Sequence, residues 1–227
     1  MDLIRPHRPS HRLVRCGNTA KRLRILGCLL AGALSAGYAQ GSTVTYTGTL
    51  SGDDQVQQYA FTTLTATSVD FSTDSYGGGT ANGTTTPSGG FVPVISVFNA
   101  SSGLLIASDG ADGICSGAMS ADSVTNICDD ANLNLSLGSG SYIVAVSEFF
   151  NVPVGPNLSN GFLEQGQGNF TGQTCGTTGA FYETDLANCV QRTGNFTLDI
   201  ATVPEPSDLW FALPLAAAVL LRRHAAK

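Results

Sequence analysis

Between Gln40 and Val203 the sequence holds no Lys, no His and a single Arg, Arg192, against fourteen Asp and Glu. That stretch therefore carries about −13, whereas the whole chain totals −6. So acidic a region excludes nucleic acid and anionic membrane surfaces as partners. The missing His removes His general bases and His-activated nucleophiles, and the missing Lys removes Schiff-base chemistry. Without His or a Cys-x-x-Cys pair, zinc has no ligand set. No segment of the region sustains a 3.6-residue apolar period, which excludes a helical domain.

The basic residues are gathered at the two ends instead. Arg5, Arg8, Arg12, Arg15, Lys21, Arg22 and Arg24 precede the apolar run from Ile25 to Ala36, which leads into Gly37-Tyr38-Ala39-Gln40. A basic region, a short apolar region and a small-x-small site form a secretory signal, so residues 1–39 are expected to be a signal helix cleaved after Ala39. Ile25-Leu26-Gly27-Cys28 is loosely similar to a lipoprotein acceptor, but the apolar run before Cys28 is too short for one. At the other end, Leu209 to Leu221 is apolar and Arg222-Arg223 follows it. Thirteen residues make a helix of about 20 Å, too short for a bilayer core of about 30 Å, and Pro214 weakens it further. The Arg pair would hold such a tail on the cytoplasmic side of the inner membrane, a transient rather than a permanent station.

The middle reads as β-structure. Short segments of period-two alternation, separated by Gly, Asn, Asp and Ser, run over Val44–Leu50, Val56–Phe61, Ser68–Phe71, Val94–Phe98, Leu104–Ala107, Leu133–Leu137, Tyr142–Ser147 and Phe196–Ile200. Many short strands with Gly-rich turns predict one all-β domain over residues 40–202, an antiparallel β-sandwich of jelly-roll type, with the signal helix before it and a short apolar helix after it. Gly77 to Gly90 is expected as a flexible loop and Asn151 to Gly179 as an irregular surface excursion.

Four cysteines remain after the leader: Cys115, Cys128, Cys175 and Cys189. In an oxidising, exported setting an even number reads as disulfides, and of the three connectivities the sequence-near pairs Cys115 with Cys128 and Cys175 with Cys189 are favoured. The densest acidic turns carry Asp53, Asp54, Asp109 and Asp112; Asp suits turns by itself, and calcium is the cation such oxygen-rich loops would bind. The carboxylates Glu148 and Glu183 are the groups a hydrolase reading would have to use. A carbohydrate-binding reading would rest on loop aromatics, namely Tyr76, Phe162, Phe181 and Tyr182.

Two resemblances bear on these residues. Val203-Pro204-Glu205-Pro206-Ser207, the apolar run and the basic end together resemble the PEP-CTERM sorting signal, placing it over residues 203–227. That resemblance implies that an exosortase recognises Pro204, Glu205 and Pro206 and delivers the protein to the cell surface or an exopolysaccharide matrix. It implies no catalytic residue in this chain. Three further segments resemble the bacterial pre-peptidase C-terminal β-sandwich: Gly48 to Asp54 leading into Tyr59-Ala60-Phe61, Pro93 to Asn99 leading into Gly103 to Asp109, and Leu137 to Val146. They imply a strand entering an acidic turn, a hairpin, and a strand with an aromatic anchor. The sequence thus predicts a non-catalytic exported protein, with a carbohydrate-binding module as the alternative and a secreted hydrolase as the third class.

Overall fold

Side-chain alternation organises the fold strand by strand. In β3 (Thr67–Asp74) every second residue, Thr67, Val69, Phe71 and Thr73, is buried, while the residues between are half-exposed. β1 (Ser42–Thr49), β8 (Asn132–Leu137) and β12 (Asn195–Val203) join it in an antiparallel sheet of order β1-β12-β3-β8. The second sheet, order β2-β9-β6-β7, contains β2 (Val56–Thr63), β6 (Pro93–Asn99), β7 (Leu105–Gly110) and β9 (Gly140–Glu148), again all antiparallel. These eight strands are the eight segments that alternation picks out, and their order is that of a jelly roll. The computed structural model describes residues 41–110, 113, 115, 119–183 and 189–203. Residues 1–40, which include the expected signal segment, Asp112 and residues 204–227 lie outside them.

Between the sheets, Val69, Phe71, Leu198 and Ile200 pack against Ile95, Val97, Tyr142, Val144 and Val146. Phe61 links the layers, stacked on Tyr142 at 5.3 Å and edge-on to Phe71 at 5.4 Å between ring centroids. Each such side chain contributes on the order of 2 kcal/mol when removed from water. β6 is buried along nearly its whole length, on both faces, which its unbroken apolar run Pro93-Val94-Ile95-Ser96-Val97-Phe98 requires.

The cover on that outer face is the segment expected to be an exposed excursion. Phe162 is 5% exposed and packs on Phe98 and Ala145, with Leu158, Leu105 and Ile143 around them. The Leu104–Asn157 bridge and the Leu105 N–H, which donates to the Pro156 carbonyl at 2.7 Å, pin the segment at the start of β7, and the Pro153–Phe162 bridge closes it on itself. Residues 151–163 are thus a third layer over part of the sheet, because the outward-facing Phe98 and Ala145 need an apolar partner.

Gly77 to Gly90 also departs from expectation. It folds into a hairpin of β4 (Gly79–Ala81) and β5 (Thr84–Thr86). Asn82 and Gly83 both take positive φ, 46° and 80°, at the two-residue turn, and Asn82 donates to Thr45 Oγ1 at 2.7 Å. Asn-Gly between Thr-rich arms is the hairpin signal that a flexible-loop reading overlooks.

Both ends of the sandwich chain lie side by side. Ser42 pairs with Thr202, and its N–H donates to Thr202 Oγ1 at 3.1 Å. Only short turns join strands at that end: β2 to β3, β6 to β7 and β8 to β9. The antiparallel order puts the four long connections, 50–55, 75–92, 111–131 and 149–194, at the opposite end.

Candidate functional site at the loop end

The loop end is organised around the one cation of the domain. Arg192 Nη1 lies 3.0 Å from Asp122 Oδ2, and Nε donates to Glu183 Oε2 at 2.8 Å while Nη2 binds the same carboxylate. Its guanidinium carbon sits 4.4 Å from the centre of the Tyr76 ring, and Nη2 also donates to the Tyr76 hydroxyl at 3.1 Å. Tyr76 in turn donates to Glu183 Oε1 at 2.6 Å and is 3.0 Å from Thr125 Oγ1. The side chains of Arg192, Asp122 and Glu183 are all nearly or wholly removed from solvent.

Neighbouring groups fix the charge states. For Asp122 burial acts upward, but the backbone N–H groups of Thr125 and Val124 and the Arg192 guanidinium outweigh it and hold the carboxyl below its usual value. Burial pulls Arg192 down less than its two carboxylate partners push it up. Burial, with the Glu183 hydrogen bond, keeps the Tyr76 phenol well above its ordinary range and so neutral. Arg192 is legible in the sequence as the lone basic residue, yet nothing local marks its partners, which lie 70, 116 and 9 positions away.

Disulfides close the two loops that supply those partners. Cys115–Cys128 brackets Asp122, and Cys175–Cys189 brackets Glu183, the pairing favoured from sequence. The Asp122 side chain also shapes its own loop, accepting from the Val124 and Thr125 N–H groups at 3.1 and 2.9 Å. Asp130 does the same for the turn after β3: its carboxylate accepts from the Ser75, Tyr76 and Gly77 N–H groups at 2.6, 3.2 and 2.9 Å. Burial pushes that carboxyl up to about 7 against the pull of these donors.

The acidic residues singled out for calcium are not gathered in one place. Asp53 is fully buried, accepting from the Thr171 hydroxyl and N–H and from the Phe181 N–H, and Asp54 accepts from Gly168 N–H at 3.1 Å. Asp109 lies on β7 opposite Ile95, which pairs with Val146, which pairs with Gln57 of β2. The Asp53-Asp54 turn and Asp109 are therefore at one end of the sheet but at opposite edges, three strand spacings or about 14 Å apart. Asp112 is outside the described residues. Among the described residues no three His, Cys, Asp or Glu side chains converge to hold a metal.

The hydrolase and carbohydrate candidates are placed as follows. Glu183 has both oxygens engaged by Tyr76 and Arg192, and Glu148 is 6% exposed with its carboxylate on the Phe150 N–H at 3.2 Å. Tyr76, Phe162 and Phe181 are buried, at 0, 5 and 6% exposure, and so serve the interior and not a sugar platform. Tyr182 is half-buried in the two-residue strand β10 (Tyr182–Glu183), which pairs with β11 (Val190–Gln191). Among the described residues the exposed rings are Phe149 and Phe150, at 37 and 50%, packed edge-to-face with centroids 5.1 Å apart. With Val94, Asp109, Gly110, Val152 and Leu163 they line a shallow groove of about 420 Å³. Gly110 permits the close fit, because a Cβ there would stand 3.3 Å from the Phe149 ring.

No protein-family model matches the chain, and no characterised protein matches it at a significant level. Among the described residues no helix is long and apolar enough to cross a membrane. Residues 209–221, the expected short apolar helix, and the Pro204-Glu205-Pro206 motif fall outside them.

Proposed function

We propose that this chain is a non-catalytic exported protein of the cell surface or extracellular polysaccharide matrix, delivered through a C-terminal signal read by an exosortase. Two local disulfides suit an oxidising compartment. The observation that carries the reading is the shared exit of the two chain ends. Val203, the last residue before Pro204, ends β12 beside β1, so a tail held at a membrane directs the loop end away from it, while residues 156–158 fold back to Gly103 and Leu104. The loop end is then the face presented to the exterior, stiffened by two disulfides and the Arg192 ion pairs. Replacing Pro204, Glu205 and Pro206 with Ala tests the sorting step. Export should persist, while a full-length, membrane-associated form accumulates; an unchanged C-terminal mass and an unchanged distribution between membrane and extracellular fractions would overturn the reading.

A carbohydrate-binding role is the second reading, favoured by the exposed Phe149–Phe150 pair with Asp109 beside it. Aromatic faces suit the C–H faces of sugars, and a carboxylate suits their hydroxyls. The local negative charge favours a neutral polymer over an anionic one. A glycan array probed with the protein separates the readings: saturable binding to one neutral sugar class supports this role.

A further inference from the structure

Arg192 is the one Lys or Arg between Gln40 and Val203, and Asp122 and Glu183 enclose it. Any other buried carboxylate at the loop end must find its counter-charge outside the protein's own side chains. Beside Asp130, which the Ser75, Tyr76 and Gly77 N–H groups meet, two buried carboxylates are in that position, Glu148 and Asp53. Glu148 ends β9 with the same parity as Tyr142, Val144 and Val146, which places its side chain at the mouth of the inter-sheet core. Asp53 is fully buried against Phe181, a member of that core. The register of Val56 against Ser147 puts the Asp53 turn over the end of β9.

Asp53 is only half satisfied. Oδ2 takes the hydrogen bonds from Thr171 and Phe181, whereas Oδ1 is buried with no partner. An ionised oxygen in that state is strongly unfavourable unless something positive meets it. Glu148, 6% exposed, accepts from the Phe150 N–H at 3.2 Å and brings a second carboxylate to the same end of the core.

We propose that Asp53 and Glu148 together bind one divalent cation of the calcium class, with the unpartnered Asp53 Oδ1 as its anchoring ligand. Two carboxylates balance the charge of one such ion. Calcium accepts six to eight oxygens, so backbone carbonyls and water complete the shell. Zinc and copper are poorly served, since the region has no His and its four cysteines are tied in disulfides. The site differs from the acidic turns read from sequence: it keeps Asp53, adds Glu148 from the neighbouring strand, and leaves out Asp109.

The test uses the full-length chain, purified in mild detergent and stripped with EDTA. Calorimetry with calcium chloride should give saturable binding of one ion per chain, and calcium should raise the melting temperature by several degrees. E148Q and D53N should each weaken binding at least tenfold, while D109N leaves it unchanged. E148Q is the decisive variant, because Gln keeps the size of the neutral acid; its melting temperature in EDTA should stay at or above that of the wild type. No binding heat and no thermal shift at millimolar calcium would overturn the proposal, as would binding that survives in E148Q or disappears in D109N.

Discussion

Arg192 holds Asp122 at 3.0 Å across 70 positions of sequence, joining the Cys115–Cys128 loop to the strand register that precedes β12. Both side chains are buried, so the pair is conditional: removing one partner strands the other in a low-dielectric site. R192M should therefore cost about 3–5 kcal/mol in urea unfolding, as it leaves both Asp122 and Glu183 without a counter-charge. R192K should recover only part of that loss. A Lys ammonium cannot present the flat fork that meets Asp122 and Glu183 while stacking on Tyr76. Equal stability of R192M and the wild type would remove the network from its structural role.

A pH dependence follows from Asp130, whose carboxyl is raised to about 7 from an unfolded value near 4. The folded state then binds more protons than the unfolded one between about pH 4 and 7. Stability should fall as pH rises through that window, by at most about 1.4 kcal/mol per pH unit. Glu148, raised to about 8, acts in the same direction when calcium is absent. Asp122 acts oppositely, since its lowered value makes a contribution that is lost only on acidification. Melting curves in EDTA should thus peak near pH 5, and D130N should flatten the decline between pH 5 and 7.

The strands were legible in the sequence, and the reason is local. Leu133, Leu135 and Leu137, or Phe196, Leu198 and Ile200, state their inward face by alternation alone. The disulfides were legible for a similar reason, because each joins neighbours only 13 or 14 positions apart. The hairpin at Asn82-Gly83 carried a readable turn signal that Gly-rich composition obscured. The loop-end chemistry was not legible. Glu148 and the Asp53 turn share one end of the core only through the β2–β9 register, and Arg192 reaches Tyr76 only through the jelly-roll path. Likewise Tyr76, Phe162 and Phe181 looked like loop aromatics because sequence does not reveal which loops fold back over a sheet.

The two disulfides should be energetically coupled through Arg192. Each constrains a loop worth about 3 kcal/mol in the chain-entropy view, and each holds one carboxylate of the ion-pair network. C175S/C189S in the wild type should lose that entropy and also loosen Glu183. In an R192M background the second component is already gone. A double-mutant cycle should return a coupling of about 0.5–3 kcal/mol, and strict additivity would mean that the loops act independently. Unreduced peptide mapping of residues 41–203 should find both links and no free thiol.

The Phe149–Phe150 pair is the exposed aromatic feature of the groove. The rings are 37 and 50% exposed with centroids 5.1 Å apart, so their truncation removes part of the buried area of each. Half-burial of two such rings contributes about 2 kcal/mol. F149A/F150A should accordingly melt about 4–8 °C below the wild type and still fold. Aromatic anchors nevertheless dominate recognition when they line a groove. The double variant should therefore lose at least tenfold in affinity for the host's exopolysaccharide in a pull-down or calorimetric titration. G110V should give the same loss by a different route, pushing the Phe149 ring off β7 where a Cβ would stand 3.3 Å away. Full retention of polymer binding by both variants would move any binding role off this face and leave the exposed rings as packing for a neighbouring segment or protein.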